Sequence, residues 1–440
     1  MGYQYDGWKN DRKIQTGGVE KKNMKIWILN HYATNMFFEG GGRHQWFAKY
    51  LIRKGYDVKI FCANTLHNTD KVVDISRGLF TEKEGQDQVP YVFVKARPYQ
   101  GNGKTRILNM MDYARNVKKV IKFFAEQEEK PDIILASSVH PLTLVSGIKM
   151  AKKFHIPCIC EVRDLWPESI VAYTQFTKSN PIIKALYRLE KWIYKRADSL
   201  IFTVEGGKDY ILDKGWEDSV KLSKIFYINN GVDLEQYQAN LRKVRFEDVD
   251  LDAKGQFNVV YAGSIRPAND ISILIRCMEH LKNTRIKLLI FGDGEQRNEL
   301  ETYCRLHHID NVVFKGKVNK VYIPSILSKS DLNVLNYQKG GLWKYGGSQN
   351  KFFEYLASGT PVLANIKMGY DPVEKYECGV AEEFENDDEY SKAILSFVNM
   401  SRASYDRICK NVKRAAEQYD FKRLTDDLEK VVQQTLTLNI

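Results

Sequence analysis

One plan runs twice along this 440-residue chain: an apolar strand, then a glycine loop, then a helix with an apolar stripe. Lys25-Ile-Trp-Ile-Leu29 opens the first copy. Gly40-Gly41-Gly42 follows, then Trp46, Phe47, Leu51 and Ile52 at helical spacing, with Gly55 as a stop before the strand Asp57–Phe61. Phe257-Asn-Val-Val-Tyr-Ala262 opens the second copy, with Gly263 after it and a helix through Ile273, Leu274, Ile275 and Met278. Strand–loop–helix units that return to a strand build parallel sheets covered on both faces. Two such starts, in a chain too long for one ordinary core, predict an α/β protein of two doubly wound, Rossmann-like domains facing each other across a cleft.

The remaining strands fit this plan. Tyr91–Lys95, Ile133–Ala136, Ile156–Val162 and Ser199–Val204 are expected in the first domain. Ile286–Phe291, Val312–Phe314, Asp331–Leu335 and Pro361–Ala364 are expected in the second. A last helical pattern runs from Tyr405 to Leu436. The boundaries read as a flexible N-terminal extension over 1–23, a first domain over 24–228, a second over 229–412 and a closing helix over 413–440.

Charge separates the halves. Residues 1–200 hold 33 Lys and Arg against 20 Asp and Glu, whereas residues 201–440 hold 33 against 35. A negatively charged partner for the first half alone follows, and nucleic acid, an anionic membrane and a phosphorylated lipid all qualify on charge. Two helices carry the basic residues beside apolar ones: Lys104–Phe124 and Ile182–Arg196. The first 23 residues lack the apolar core of a secretory signal, and Ile133–Ile148 is too short to span a bilayer. The seven cysteines form no metal-type or redox pair, so reduced, mostly buried thiols are expected in a cytoplasmic protein.

Chemistry concentrates at strand ends. In Tyr345-Gly-Gly-Ser-Gln-Asn-Lys-Phe-Phe-Glu354, Ser348 reads as a helix cap, and the free N–H groups behind it suit a diphosphate. Lys351 and Asn350 add a cation and donors in the first turn. Glu354 lies one turn further on, placed to accept from ribose hydroxyls. Gly263-Ser-Ile-Arg266 and Gly292-Asp-Gly294 are two more loops after strands, and Arg266 suits a phosphate. In the first half Gly41 and Gly42 permit close backbone approach. His140, Arg163, Asp164 and Glu168 follow strands, in Ser137-Ser-Val-His140 and Glu161-Val-Arg-Asp-Leu-Trp-Pro-Glu168. No dinucleotide fingerprint and no P-loop are present.

These segments, with Gly101-Asn-Gly-Lys-Thr-Arg-Ile-Leu-Asn109, Asn230-Gly-Val-Asp233 and Tyr345–Pro361, resemble the family-4 retaining glycosyltransferases, in particular the branch that builds capsular polysaccharide and O-antigen. The resemblance implies the GT-B fold. It implies a nucleotide-diphosphate sugar, with UDP as the expected nucleotide, held mainly by the second domain at Gly263, Arg266, Gly292, Gly294, Ser348, Asn350, Lys351 and Glu354. Gly41 and Gly42 would approach it from the first domain. His140 and Asp164 would act at the reacting sugar, with Arg163 and Glu168 on the acceptor side. A lipid-linked saccharide is the implied acceptor and the inner face of the cell membrane the implied location. No nucleic acid partner, no cofactor and no essential metal are expected. The final helix of such folds often crosses back to the first domain. Two positions depart from the pattern: Gly346 and Asn269 stand where many relatives carry Glu and Lys. Two rivals follow, a nucleotide-sugar epimerase of the same fold and a non-catalytic member that kept only the scaffold.

Overall fold

The computed structural model describes residues 24–127, 130–138 and 140–437, so the segment read as a flexible extension lies outside the described residues. The first domain holds eight strands: β1 (Lys25–Leu29), β2 (Asp57–Ala63), β3 (Phe80–Glu84), β4 (Pro90–Val94), β5 (Ile133–Ser137), β6 (Cys158–Val162), β7 (Ser199–Phe202) and β8 (Ile225–Tyr227). Their order is β3-β4-β2-β1-β5-β6-β7-β8, parallel except where β3 runs against β4. The second domain holds β9 (Phe257–Ala262), β10 (Ile286–Phe291), β11 (Val312–Gly316), β12 (Leu332–Leu335), β13 (Val362–Ala364) and β14 (Gly379–Ala381). Its sheet is wholly parallel in the order β11-β10-β9-β12-β13-β14, the doubly wound arrangement. Strand order reverses beside β1 in one sheet and beside β9 in the other. Crevices open at the carboxyl ends of those strands, and both glycine loops lie there.

The central strands are buried on both faces, which is why they read as unbroken apolar runs: Ile28, Leu29, Ile60, Phe61, Ile134 and Leu135 are fully covered, as are Val259, Val260, Leu288 and Leu289. All seven cysteines are free thiols, six buried and Cys409 half-buried. Among the described residues no helix is long and apolar enough to cross a membrane.

Six helices position the site and join the domains: α1 (Thr34–Glu39), α2 (Arg43–Arg53), α3 (Lys104–Gln127), α4 (Pro141–Phe154), α5 (Asn350–Ser358) and α6 (Phe421–Thr437). The pattern read as one closing helix is two, Arg402–Gln418 and α6. The break at Tyr419 and Asp420 lets the backbone pair with Val232, whose N–H donates to Tyr419 O at 3.0 Å and whose carbonyl accepts from Phe421 N. From there α6 lies along the first domain. Phe421 packs on Trp46 and Phe47, and Glu429 accepts from Lys54 at 2.7 Å and Tyr56 at 2.8 Å.

Candidate active site

The first-domain wall is built on a buried charged network. Arg43 and His44, at the start of α2, reach Glu161 near the end of β6: Arg43 Nε donates to Oε1 at 2.7 Å, and His44 Nε2 meets Oε2 at 2.9 Å. Ser137 Oγ adds a third bond to the same carboxylate at 2.7 Å. Burial alone would raise the Glu161 carboxyl, but Arg43 and His44 outweigh it and hold it well below the usual range. The guanidinium also donates to Ile228 O at 2.9 Å and Asn229 O at 2.5 Å, in the connection between the domains. One network thus fixes the glycine loop, two strand ends and the inter-domain connection.

Beside it, His140 caps α4 and its ring is fully buried. Nε2 meets His31 Nδ1 at 2.5 Å, and His31 stacks between Tyr32 and Tyr113. Burial, helped by the charge of Arg106, lowers His140 to about 3. At neutral pH this imidazole is therefore a neutral hydrogen-bonding group, not an acid. Asp164 sits on the loop after β6. Crowding by the surrounding wall raises its carboxyl, with Arg163 opposing. Arg163 anchors that loop through its backbone, its N–H donating to Ser138 Oγ at 3.0 Å. Glu168 stands apart from this group. Lys178 at 2.8 Å, Lys214 and Tyr187 all bind its carboxylate, overcoming burial and holding it at about 2. With Lys344 and Tyr345 of the other domain, it lines a separate recess of about 370 Å³.

The second-domain wall centres on α5. Gln349, not Ser348, occupies the cap, and the helix begins at Asn350. Ser348 turns instead to the inter-domain connection, its Oγ accepting from Asn230 N–H at 3.3 Å, while Asn350 Oδ1 accepts from the Asn230 amide. Asn229 Nδ2 donates to Gly347 O at 3.2 Å. The loop before α5 is thus held by the connection that Arg43 holds from the other side. Gly346 in that loop has φ +96, and a Cβ there would lie 3.3 Å from Gly369 O, so a side chain at 346 would be strained.

Lys351 points from the first turn of α5 toward the β9 loop. Its ammonium donates to Tyr261 OH at 2.9 Å and Asn269 Oδ1 at 3.0 Å, and lies 4.6 Å from the ring centres of Tyr261 and Tyr337. No carboxylate among the described residues is bound to it, and burial lowers it to about 7. Gly263 lies beside it, since a Cβ there would be 3.4 Å from Nζ. Glu354, one turn on, is half-buried, and its carboxylate has no hydrogen-bond partner among the described residues. Burial raises its carboxyl to about 7, with Lys320 opposing and Glu39 adding. Those two form an ion pair of 2.6 Å between the domains. The Gly292 and Gly294 loop packs behind: Cβ atoms there would stand 1.7 Å from Gly263 O and 2.1 Å from Ile265 O. Loop-on-loop packing requires glycine at both positions. Arg266 is exposed and forms no ion pair among the described residues. Its charge is felt by His67 of the first domain.

The structure therefore brings Gly263, Lys351 and Glu354 onto one wall and His140 and Asp164 onto the other, with Gly41 and Gly42 at the entry to α2. It sets Glu168 apart. Arg43, His44, Glu161, Tyr261 and Asn229 were not among the residues read from the sequence. One signal was present for Glu161, a charge inside the apolar run Cys158-Ile-Cys-Glu-Val162.

A lysine and a glutamate that burial moves to about 7, with no ion pair to either among the described residues, stand one turn apart on α5 and suit a ligand with both an anion and hydroxyl donors. Two family models match consecutive stretches of the chain: Glycosyltransferase Family 4 over residues 46–236 and Glycosyl transferases group 1 over residues 245–418. No curated protein sequence matches it. Among solved structures, the sucrose-phosphate synthase of Thermosynechococcus elongatus is similar at a TM-score of 0.70 and 16% identity, covering 94% of this chain and 100% of that one. Anabaena HepE in complex with UDP-glucose is similar at a TM-score of 0.64 and 16% identity, covering 93% and 100%. The α,α-trehalose 6-phosphate synthase of Burkholderia multivorans is similar at 0.66 and 10%, covering 95% and 100%. The two sheets and these neighbours make the fold GT-B.

Proposed function

We propose that this glycosyltransferase moves a sugar from a UDP-sugar to a lipid-linked saccharide, with retention at the anomeric carbon, at an anionic membrane face. The observation that carries the donor half is Lys351, an ammonium without a carboxylate at the start of α5. A diphosphate there would gain that charge and the free N–H groups of the helix start. Glu354 would accept from the ribose hydroxyls. The same cation and helix end would stabilise the leaving diphosphate as the sugar departs. Asn269 stands where relatives carry lysine, and Lys351 Nζ rests on its side chain. The phosphate cation thus comes from α5 rather than from the β9 loop. Support for the nucleotide comes from Anabaena HepE, solved with UDP-glucose.

UDP at a hundredfold excess over Kd should stabilise the fold by about 2.7 kcal/mol. A thermal scan should therefore show the melting temperature rising by several degrees. No shift with either UDP or GDP at millimolar concentration would remove the donor-site assignment, and with it both the transferase and the epimerase.

The membrane half rests on α3. Ile107 is 57% and Met111 54% exposed, in the turns that also carry Lys104 and Arg115. The helix Pro181–Arg196 is different: Ile183 and Ile193 are buried in the core and only Ile182 stands out, so most of its apolar stripe is packing. Vesicles with anionic lipid should co-sediment the protein at low salt and neutral vesicles should not. Ile107→Asp with Met111→Asp should abolish the difference. Equal sedimentation with both vesicle types would contradict the membrane reading.

A further inference from the structure

The recess at Glu168 has no part in the donor site, yet both domains build it. The first domain supplies the helix Glu168–Tyr173, Lys178 beyond it, and Asp213 and Lys214 at the end of the helix Gly207–Asp213. The second domain supplies the turn Gly341–Tyr345. Lys344 Nζ meets Asp213 Oδ2 at 2.6 Å, and Tyr345 OH donates to the same oxygen at 2.7 Å. Gly206 N–H donates to Tyr345 O at 3.0 Å, so the two backbones touch there. The walls belong to loops that also carry the candidate active site. Glu168 follows Asp164 by four residues, and Tyr345 directly precedes Gly346 of the loop before α5.

The recess has about 370 Å³, within the roughly 300–1,000 Å³ of small-ligand pockets. Its lining carries both signs: the ammonium groups of Lys178, Lys214 and Lys344 stand among the carboxylates of Glu168 and Asp213. These ion pairs leave bonding capacity unused, since an ammonium has several donors and a carboxylate several acceptor positions. Lys178 meets Glu168 Oε1 at 2.8 Å. Both bonds to Asp213 fall on Oδ2, which leaves Oδ1 open among the described residues. Nearly balanced charge is a weak field for an ion. Donors and acceptors set side by side match hydroxyls, each of which both donates and accepts. Val171, Ala172 and Leu342 add apolar wall, suited to the carbon face of a sugar ring. The segment that carries Lys178 also has an apolar rim. Phe176, two residues before it, is 49% exposed, and Ile182, four after it, is 65% exposed. A sugar head with a lipid behind it would meet both surfaces.

We propose that this inter-domain recess holds the terminal sugar of the acceptor, as an uncharged, hydroxyl-rich ring. Its place in the reaction rests on the transferase reading, whereas its ligand class rests on the recess itself.

Saturation-transfer NMR on the full chain with UDP present tests it. Glucose, galactose, N-acetylglucosamine and glucuronate serve as probes, and inorganic phosphate as competitor. At least one uncharged sugar should bind. Gly341→Trp should weaken that binding by roughly tenfold or more by filling the recess, because a Cβ at 341 meets no atom within 4 Å and the indole has room to enter. Lys178→Ala and Lys344→Ala should each weaken it about tenfold, the lower end for a hydrogen bond to a charged group. Both lysines are more than half exposed, so neither change should harm the fold. The rise in melting temperature with UDP should be the same in all three variants, which would show them folded with the donor site intact. No saturation transfer to any sugar, or binding that survives Gly341→Trp, would overturn the proposal. Displacement of the sugar by phosphate, or glucuronate binding more than about tenfold tighter than glucose, would mark an anion site and overturn it too. Failure of UDP to bind the wild type would remove the donor site instead, and the same titrations without UDP would still decide the recess.

Discussion

Glu161→Gln is expected to destabilise the protein by about 3–5 kcal/mol, the usual result of removing one partner of a buried ion pair. The amide keeps the shape but leaves Arg43 buried with its charge uncompensated. Arg43 cannot turn to water, since its side chain is 1% exposed and is fixed to Ile228 O and Asn229 O. His44 loses its acceptor at the same time. Urea unfolding followed by circular dichroism measures the loss as a lower midpoint. A double variant, Arg43→Met with Glu161→Leu, should recover part of it, because an apolar pair leaves no orphaned charge. The pH dependence has a definite sign. The Glu161 carboxyl sits well below its ordinary 4.5 in the folded protein. Its contribution is therefore complete above that ordinary value and is lost as pH falls through the folded one. Glu161→Gln should lack this acid-side slope. A change below about 1 kcal/mol would mean that the network is neutral to stability.

That network also marks where sequence reading stops. Arg43 and Glu161 are 118 residues apart, and nothing local to either announces the other. Strands were legible wherever both faces are covered: Lys25–Leu29, Phe257–Ala262 and Ile286–Phe291 have the same limits in sequence and structure. β3 was not, because Phe-Thr-Glu-Lys-Glu is an edge strand held by pairing with β4 and exposed along most of its length. β8 and β14 are three residues each, too short for a period to show. At the donor site, residue types were legible but not their partners. Lys351 and Glu354 stood out by spacing. That Asn230 bonds to Ser348 and Asn350 depends on a contact across 118 to 120 residues. At Gly292 and Gly294 the loops pack on each other so closely that a Cβ would not fit, a contact no local sequence signal shows.

Binding of UDP-glucose should peak near neutral pH and weaken on both sides, with one residue behind each limb. The bound form needs Glu354 as carboxylate to accept from ribose, and Lys351 as ammonium to meet the diphosphate. Burial places both near 7 in the free protein, raising the acid and lowering the base. Below that value Glu354 gains a proton and ceases to accept as an anion. Above it Lys351 loses its proton and its charge. The correctly charged pair is therefore most populated at about pH 7 and falls roughly eightfold at 1.5 pH units to either side, from two independent titrations at that value. UDP-glucose is the suitable probe because its diphosphate is esterified at both ends and has no ionisation in this range. Glu354→Gln should remove the acid limb, since the amide does not titrate. Lys351→Met should remove the alkaline limb. Each should weaken binding at pH 7 by roughly tenfold to a hundredfold, the value of a charge-assisted hydrogen bond or pair. In steady-state assays kcat/KM should fall by a similar factor, because the contact to the leaving diphosphate is at least as strong in the transition state. Calorimetric titrations from about pH 5.5 to 8.5, with circular dichroism to confirm folding, decide it. A flat wild-type profile would show that neither group titrates on binding. Limbs that persist in both variants would move the donor site away from α5.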